Sequence, residues 1–167
     1  MHVQIQYRFG EGMRPLPGLS LQEMEAWLAF LKAHAKVTAL LDRELLDEHG
    51  ISLAGYEVLA FLSRAEGRRM RMSDLAGAVL ISPGAVTRRV ETLEARGLVT
   101  RSRSTDDARV VEAVVTKAGT EVLKALTPTH VRGVRAHFLD QLRPKELQQV
   151  AKALWRVADS CEASGPP

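Results

Sequence analysis

The chain has 167 residues, of which 46% are hydrophobic and 26% charged, with a net charge of +3, as in an ordinary folded domain. Its single cysteine excludes an internal disulfide framework and a metal site built from several cysteines. The chain has no apolar run of about 18 residues and no basic, apolar leader, so we expect a cytoplasmic protein that does not enter the membrane.

Residues 1–19 are expected to form a tail or arm outside the folded core. Apolar and polar residues alternate over 2–9, which is typical of a strand. Glycines and prolines then interrupt the chain. Three interpretations fit this pattern: an arm that adds to another surface, a loose tail, or a start codon placed too far upstream.

A long helix is predicted for residues 20–50. Ser20 and Glu23 form a capping box. Apolar residues then recur every three or four positions, and Gly50 is a typical C-cap. Because the helix is long for so small a protein, we expect its apolar stripe to pack on more than its own chain.

Residues 51–115 predict a helix-turn-helix followed by a β-hairpin. Three successive helices precede the hairpin, with a short extended segment over 68–72. Strand patterns over 98–103 and 109–115 flank a polar turn, which predicts the hairpin. The expected N-caps of the helices are Ser52, Ser73 and Ser82, and the expected stops of the first and third are Gly67 and Gly97.

Residues 116–160 predict two further helices, and residues 161–167 a tail. Thr116 caps the first helix, Pro128 kinks or restarts it on its way to Leu142, and Pro144 opens the second. The predicted fold class is mainly α with a small β-hairpin wing. It is a winged helix-turn-helix core with long N- and C-terminal dimerisation helices, because the core is too small to cover the apolar stripes of those helices.

Arginine is concentrated in the middle of the chain. Ten of the 17 arginines lie between Arg64 and Arg109, a stretch that has no lysine and a local charge of +4. This enrichment favours a polyanion such as nucleic acid, because guanidinium groups match phosphates and base edges. A solvated basic surface is the alternative.

The helix predicted over 83–95 has two different faces. Val86 and Val90 mark an apolar side, whereas Gly84 and Arg88 lie on the opposite side. A small residue near the start lets the helix approach bases in the major groove, and arginine can pair with guanine O6 and N7. Exposed amides and the helix dipole attract phosphate. An amphipathic surface helix with a chance arginine fits the same pattern.

The hairpin supports the DNA interpretation. Arg101, Arg103 and Arg109 lie on its strands, where they can contact the backbone or enter a narrow minor groove. Our hypothesis for Asp107 is that it holds Arg109 in an extended pose. An ordinary Asp-rich turn is the alternative.

Residues 82–99, SPGAVTRRVETLEARGLV, resemble the recognition helix and first wing strand of MarR-type regulators. Residues 106–109 resemble the wing tip of that family, and residues 115–119 its return into the fifth helix. The resemblance covers about residues 20–160. It implies a homodimer that binds pseudo-palindromic double-stranded DNA, usually as a repressor, and that releases DNA when a small-molecule effector binds.

By position, the resemblance implies a wing arginine at Arg109, with Asp107 as its orienting partner. It implies recognition-helix contacts at Ser82, Gly84, Thr87 and Arg88. Arg89 stands where members often have an apolar residue, so we expect it at the edge of the helix packing, within reach of a phosphate. The candidate DNA-binding residues are Ser73, Ser82, Gly84, Thr87, Arg88, Arg89, Arg101, Arg103 and Arg109, with Asp107 orienting Arg109.

An effector pocket is predicted where the winged core meets the dimer interface, lined by Trp27, His34, Tyr56 and His130. His130 and His137 are about 10 Å apart along a helix, too far to share one metal ion without other ligands. No motif predicts an enzyme, a cofactor or a metal site. The alternative function is a winged-helix protein-interaction or assembly module without specific DNA readout, whose binding would be insensitive to salt.

Overall fold

The computed structural model describes residues 15–79, 81–103, 107 and 109–163. The strand expected over 2–9 and most of the expected hairpin tip lie outside these residues. The described chain forms six α-helices and three β-strands. They are α1 (Leu21–His49), α2 (Leu53–Arg64), β1 (Arg69–Arg71), α3 (Met72–Ala78), α4 (Pro83–Ala95), β2 (Val99–Arg103), β3 (Val111–Val115), α5 (Lys117–His137) and α6 (Pro144–Ala163). The fold class predicted from the sequence is confirmed.

The chain divides into two units inside α1, one up to Ala39 and the other from Leu40 onward. The functional divisions expected at residues 50, 115 and 160 stay predictions. Within the described ranges, no helix combines the length and the hydropathy that a membrane crossing requires.

Most helix boundaries follow from local capping. The Ser20 hydroxyl accepts a hydrogen bond from the Glu23 amide at 3.3 Å, and the Glu23 carboxylate accepts one from the Ser20 amide at 2.8 Å, as expected of a capping box. Gly50 has a φ of +65° and ends α1. The remaining predicted caps that form are Ser52, Ser82 and Thr116, each of which accepts from the amide three residues later.

Three predicted boundaries are wrong. Helix α3 begins at Met72, directly after β1, so Ser73 lies inside its first turn and donates to Asp74 Oδ1 instead of capping. Helix α2 ends at Arg64, because a single 3-10 turn over Glu66–Arg68 is inserted before the strand.

The third wrong boundary concerns α5. The helix neither restarts nor ends at Pro128 but runs on to His137. Phe138 has φ −133° and lies outside helical geometry, so the expected extension to Leu142 does not form.

The three strands form one antiparallel sheet in the order β1-β3-β2. Met70 and Arg101 both pair with Ala113, on opposite sides of β3. The sequence predicted the hairpin but not the pairing of β1 with β3. Val99 and Ala113 are fully buried, so one face of the sheet contributes to the core. The largest fully buried side chains are Leu45, Leu59, Leu62, Leu75, Leu126, Val58, Val86, Val90 and Val99.

The start of α5 is held tightly against the start of the hairpin. The Thr116 hydroxyl donates to the Gly97 carbonyl at 2.8 Å, and the Thr116 amide donates to the Leu98 carbonyl at 3.0 Å. A Cβ at Gly119 would overlap the Leu98 carbonyl oxygen and lie 2.8 Å from Val115 Cγ2. The base of the hairpin is therefore fixed to α5 by a contact that only glycine permits.

Candidate nucleic-acid interface

Helix α4 has the two faces that its sequence predicts. Val86, Val90 and Leu93 are at most 2% exposed and pack into the core. Gly84 and Arg88 are exposed on the other side. The apolar residues therefore hold the helix in place, while its polar face and N-terminus remain open to a partner.

Gly84 has no role in packing within the described chain. A Cβ built at this position would meet no atom within 4 Å, and φ is not positive there. Because glycine in a helix is less stable than alanine, the fold itself does not require this residue. A requirement for close approach by another molecule would explain it.

Two hydroxyls at the start of α4 keep hydrogen-bonding capacity. The Ser82 hydroxyl accepts from the Ala85 amide at 3.3 Å, which leaves its own proton free to donate. The Thr87 hydroxyl donates to the Pro83 carbonyl at 2.9 Å, which leaves its lone pairs free to accept. The first turn thus offers both a donor and an acceptor beside the exposed Gly84.

The ten clustered arginines fall into two groups. Five have side-chain contacts within the protein: Arg64 with the Ala60 carbonyl, Arg69 with Glu112, Arg89 with Ser52, Arg96 with the Gly50 carbonyl, and Arg101 with Glu94 and Glu91. The other five have no side-chain partner within the described part of the chain, namely Arg68, Arg71, Arg88, Arg103 and Arg109. In the first group only Arg69 and Arg101 face carboxylates, whereas Arg64, Arg89 and Arg96 bind neutral oxygens and keep their charge.

Arg89 occupies the edge position that the sequence indicates. It is partly buried, and its guanidinium donates to the Ser52 hydroxyl at the start of α2, at 3.0 Å. This contact joins α4 to α2. A phosphate contact by Arg89 stays a prediction.

Arg101 is paired with α4. Its guanidinium contacts Glu94 at 2.7 Å and Glu91 at 3.6 Å, and its main-chain amide donates to Glu94 at 3.1 Å. The hydrogen bonds from the guanidinium and then from the amide lower the pKa of the Glu94 carboxyl below its ordinary value. Sequence analysis did not predict the contacts of Arg101 with either glutamate, since a pairing between a helix and a strand has no characteristic spacing.

Asp107 contacts the backbone of Arg109. Its carboxylate accepts from the Arg109 amide at 2.9 Å, and its carbonyl accepts from the Val110 amide at 2.9 Å. This is the local Asx pattern that favours aspartate in turns. Asp107 therefore shapes the turn that carries Arg109, and its expected effect on the pose of the Arg109 side chain stays a prediction. Asp106 and Ala108, also part of the predicted tip, lie outside the described residues.

Two of the four predicted effector residues contact each other. Tyr56 is 6% exposed, and its ring stacks on that of His130 with the centroids 4.2 Å apart. His130 Nδ1 is buried with no hydrogen-bond partner within the described chain. Burial, and then the positive charge of Arg64, lower the pKa of His130.

The other two predicted effector residues lie in the unit that ends at Ala39. Trp27 is 51% exposed, and its ring centroid lies 6.0 Å from that of Phe30. His34 is exposed, and its ring stacks with that of Phe30 with the centroids 6.3 Å apart.

Comparison with known proteins identifies the family. The MarR family profile matches residues 51–111. The structure of AbsC, a MarR family transcriptional regulator from Streptomyces coelicolor, is 36% identical, with a TM-score of 0.81 over 87% of this chain and 97% of that one. The chain belongs to the MarR family.

Two further relatives agree with this MarR assignment. Sco3205, a MarR family regulator from Streptomyces coelicolor solved in complex with DNA, is 30% identical, with a TM-score of 0.81 over 85% of this chain and 89% of that one. The transcriptional repressor MdtR of Bacillus subtilis is 26% identical over 119 residues, which are 71% of this chain and 75% of MdtR. This MarR-family chain is a DNA-binding transcriptional regulator and not an enzyme, and the alternative of a protein-interaction module is disfavoured.

Proposed function

We propose that α4 enters the major groove of double-stranded DNA and that the β2–β3 hairpin contacts the adjacent backbone or minor groove. The observation that carries this proposal is the outer face of α4, where Gly84 is open and Arg88 is exposed without a partner in the described chain. Such a face serves no purpose in the core. It has the small residue and the free guanidinium that reading of base edges requires.

Each proposed contact has a separate role. Arg88 pairs with a guanine, while the Ser82 and Thr87 hydroxyls and the amides of the first turn of α4 contact phosphate or base edges. Arg103 and Arg109 bring positive charge along the hairpin to the backbone or the minor groove. Ser73, which is exposed, and Arg89, which keeps donors beyond its bond to Ser52, are proposed phosphate contacts.

We also propose that the protein is a homodimer joined through α1, α5 and α6. The described chain leaves an open apolar groove of about 520 Å³ along α6, and Trp155 in this groove is 69% exposed. The other groove residues are Phe138, Leu139, Leu147, Val150, Ala151, Leu154 and Ala158. A second copy would cover this face, and two-fold symmetry would place two α4 helices on half-sites about one DNA turn apart.

The regulatory part of the proposal is repression in the cytoplasm, relieved by a small molecule. The related MdtR is a transcriptional repressor, which supports repression. We centre the effector site on Tyr56 and His130, because their stacked rings and the unpartnered Nδ1 offer an apolar contact beside a polar one. Trp27 and His34 stay predictions for this site.

Selection of binding sites from random duplex DNA at near-physiological salt tests the DNA proposal. We expect a pseudo-palindrome with half-sites about 10 bp apart. On that site, Arg88→Ala is expected to cost about 1–3 kcal/mol and to relax the preference at one base position of each half-site. An unchanged preference would contradict the role of Arg88, and a lack of any enriched sequence would contradict specific readout by the purified protein.

Sedimentation equilibrium tests the dimer. Trp155→Glu places a charge in the apolar groove and is expected to shift the protein to monomer. Gln149→Glu adds the same charge at an exposed position of α6 outside the groove and serves as the control. Equal behaviour of the two variants would contradict the assignment of the groove to a second copy.

A further inference from the structure

Arg101 makes four contacts from β2 to α4, and the shortest joins its Nη2 to Glu94 Oε2 at 2.7 Å. Its guanidinium Nε donates to Glu94 Oε2 at 2.9 Å, and its amide donates to Glu94 Oε1 at 3.1 Å. Its Nη1 lies 3.6 Å from Glu91 Oε1. Both oxygens of Glu94 are thus occupied by Arg101, so the strand is held through its side chain and through its backbone.

The position of β2 in the sheet explains the backbone contact. In the order β1-β3-β2, β2 is an edge strand, and the amides on its outer side have no partner in the sheet. Glu94 supplies an acceptor for one of these amides. The carboxylate on α4 therefore completes the hydrogen bonding of the first wing strand at Arg101.

Arg103 provides an internal comparison. It lies two residues further along β2, so it shares a face of the sheet with Arg101. It is exposed and has no side-chain partner in the part of the chain that the structure describes, whereas the charge of Arg101 is balanced by two glutamates. Two arginines that look equivalent in the sequence therefore present different charges to a polyanion.

We propose that Arg101 is a positioning residue and not a phosphate contact. By binding Glu94 and Glu91 it fixes the hairpin against α4, and this sets the spacing between the groove contacts of the helix and those of the hairpin. Selectivity for the operator over random DNA then depends on two glutamates that never touch DNA. This inference rests on the proposed use of α4 and the hairpin as the DNA interface.

The test compares Arg101→Gln, Arg103→Gln and Glu94→Gln on the selected operator and on random duplex, each over a range of salt concentrations. Every phosphate that a protein neutralises contributes about 0.9 to the slope of log K against log salt. We expect Arg103→Gln to reduce this slope by about 1 per subunit. Arg101→Gln is expected to leave the slope unchanged and to reduce operator selectivity about tenfold, within the range found for contacting pairs.

Glu94→Gln distinguishes positioning from general electrostatics. Removal of an acid near the DNA would strengthen binding if only net charge mattered. Positioning predicts the opposite, a loss of selectivity similar to that of Arg101→Gln, and a double variant no worse than either single one. Thermal unfolding of each variant checks that it remains folded. If Arg101→Gln does not fold, the operator selectivity of Glu94→Gln still tests the proposal.

Three results would overturn specific statements. If Arg101→Gln and Arg103→Gln reduced the slope of log K against log salt equally, Arg101 would be a phosphate contact. The positioning role would then be wrong, whereas the proposed DNA interface would remain supported. Tighter operator binding by Glu94→Gln would also refute positioning. If instead neither Arg103→Gln nor Arg88→Ala altered affinity, the proposed interface itself would be wrong.

Discussion

The replacement of Gly84 by alanine separates the needs of the fold from those of DNA binding. Gly84 lies in the first turn of α4, with helical backbone geometry and an exposed α-carbon. The added methyl would have no neighbour within 4 Å. No strain or clash inside the described chain therefore opposes the substitution, and any loss of function must arise at the surface that α4 presents to its partner.

The two expected effects have opposite signs. Alanine is more favourable than glycine inside a helix by about 0.5–1 kcal/mol, so Gly84→Ala is expected to raise the free energy of unfolding by up to that amount. A methyl forced into a closely packed contact costs about 1–3 kcal/mol, which corresponds to a weakening of operator binding by about 5- to 150-fold.

The assay is urea unfolding together with operator binding for the same preparations. Gly77→Ala is the matched control, because Gly77 is also exposed in a helix and its added Cβ would also meet no atom within 4 Å. We expect the control to stabilise the protein and to leave binding unchanged. A Gly84→Ala variant that binds the operator as tightly as the parent would refute the close approach of α4 to DNA.

Three further predictions concern the fold. Gly119→Ala is expected to lower stability by about 1–3 kcal/mol or more, because its methyl would overlap the Leu98 carbonyl, and chemical unfolding measures this loss. Leu126→Ala removes a fully buried side chain of α5 and is expected to cost about 2–5 kcal/mol in the same assay. The hydrogen bond from Arg143 lowers the pKa of Glu146 to about 2, so its stabilising effect is present above the ordinary value of 4.5 and disappears as the pH falls. Glu146→Gln is therefore expected to lower the melting temperature at pH 7 and to have a much smaller effect at pH 2, where about half of the folded molecules carry a protonated Glu146. An equal effect at both pH values would contradict this assignment.

Helix boundaries were predictable where the decisive contact is local. Ser20, Ser52, Ser82 and Thr116 each bind an amide three residues away, and this spacing is visible in the sequence. The prediction failed at Ser73, and the reason is again local. The preceding strand runs directly into α3, so the helix begins one residue before a serine that has the right chemistry.

Contacts between different helices and strands were not predictable in this way. The pairing of β1 with β3 joins residues more than 40 positions apart, and β1 is only three residues long, which is too short to show a period of its own. The bond between Arg101 and Glu94 has a similar origin. It depends on how the hairpin folds back on α4, and no spacing rule links a strand residue to a helix residue.

The arginine cluster shows how much of a DNA interface can be predicted from a count of charged residues. Composition predicts an interface in the stretch between Arg64 and Arg109, and half of the ten arginines there have side-chain contacts within the protein. Two of them, Arg69 and Arg101, are paired with glutamates. A count of positive residues overstates the charge available to a polyanion by these two, since a guanidinium paired with a carboxylate releases few counterions when it meets phosphate. On α4 and the hairpin, the arginines with no side-chain partner among the described residues are Arg88, Arg103 and Arg109. On the proposed interface, specific readout would thus depend on where the unpaired arginines lie, and the proposed role of Arg101 is to set the geometry in which they are held.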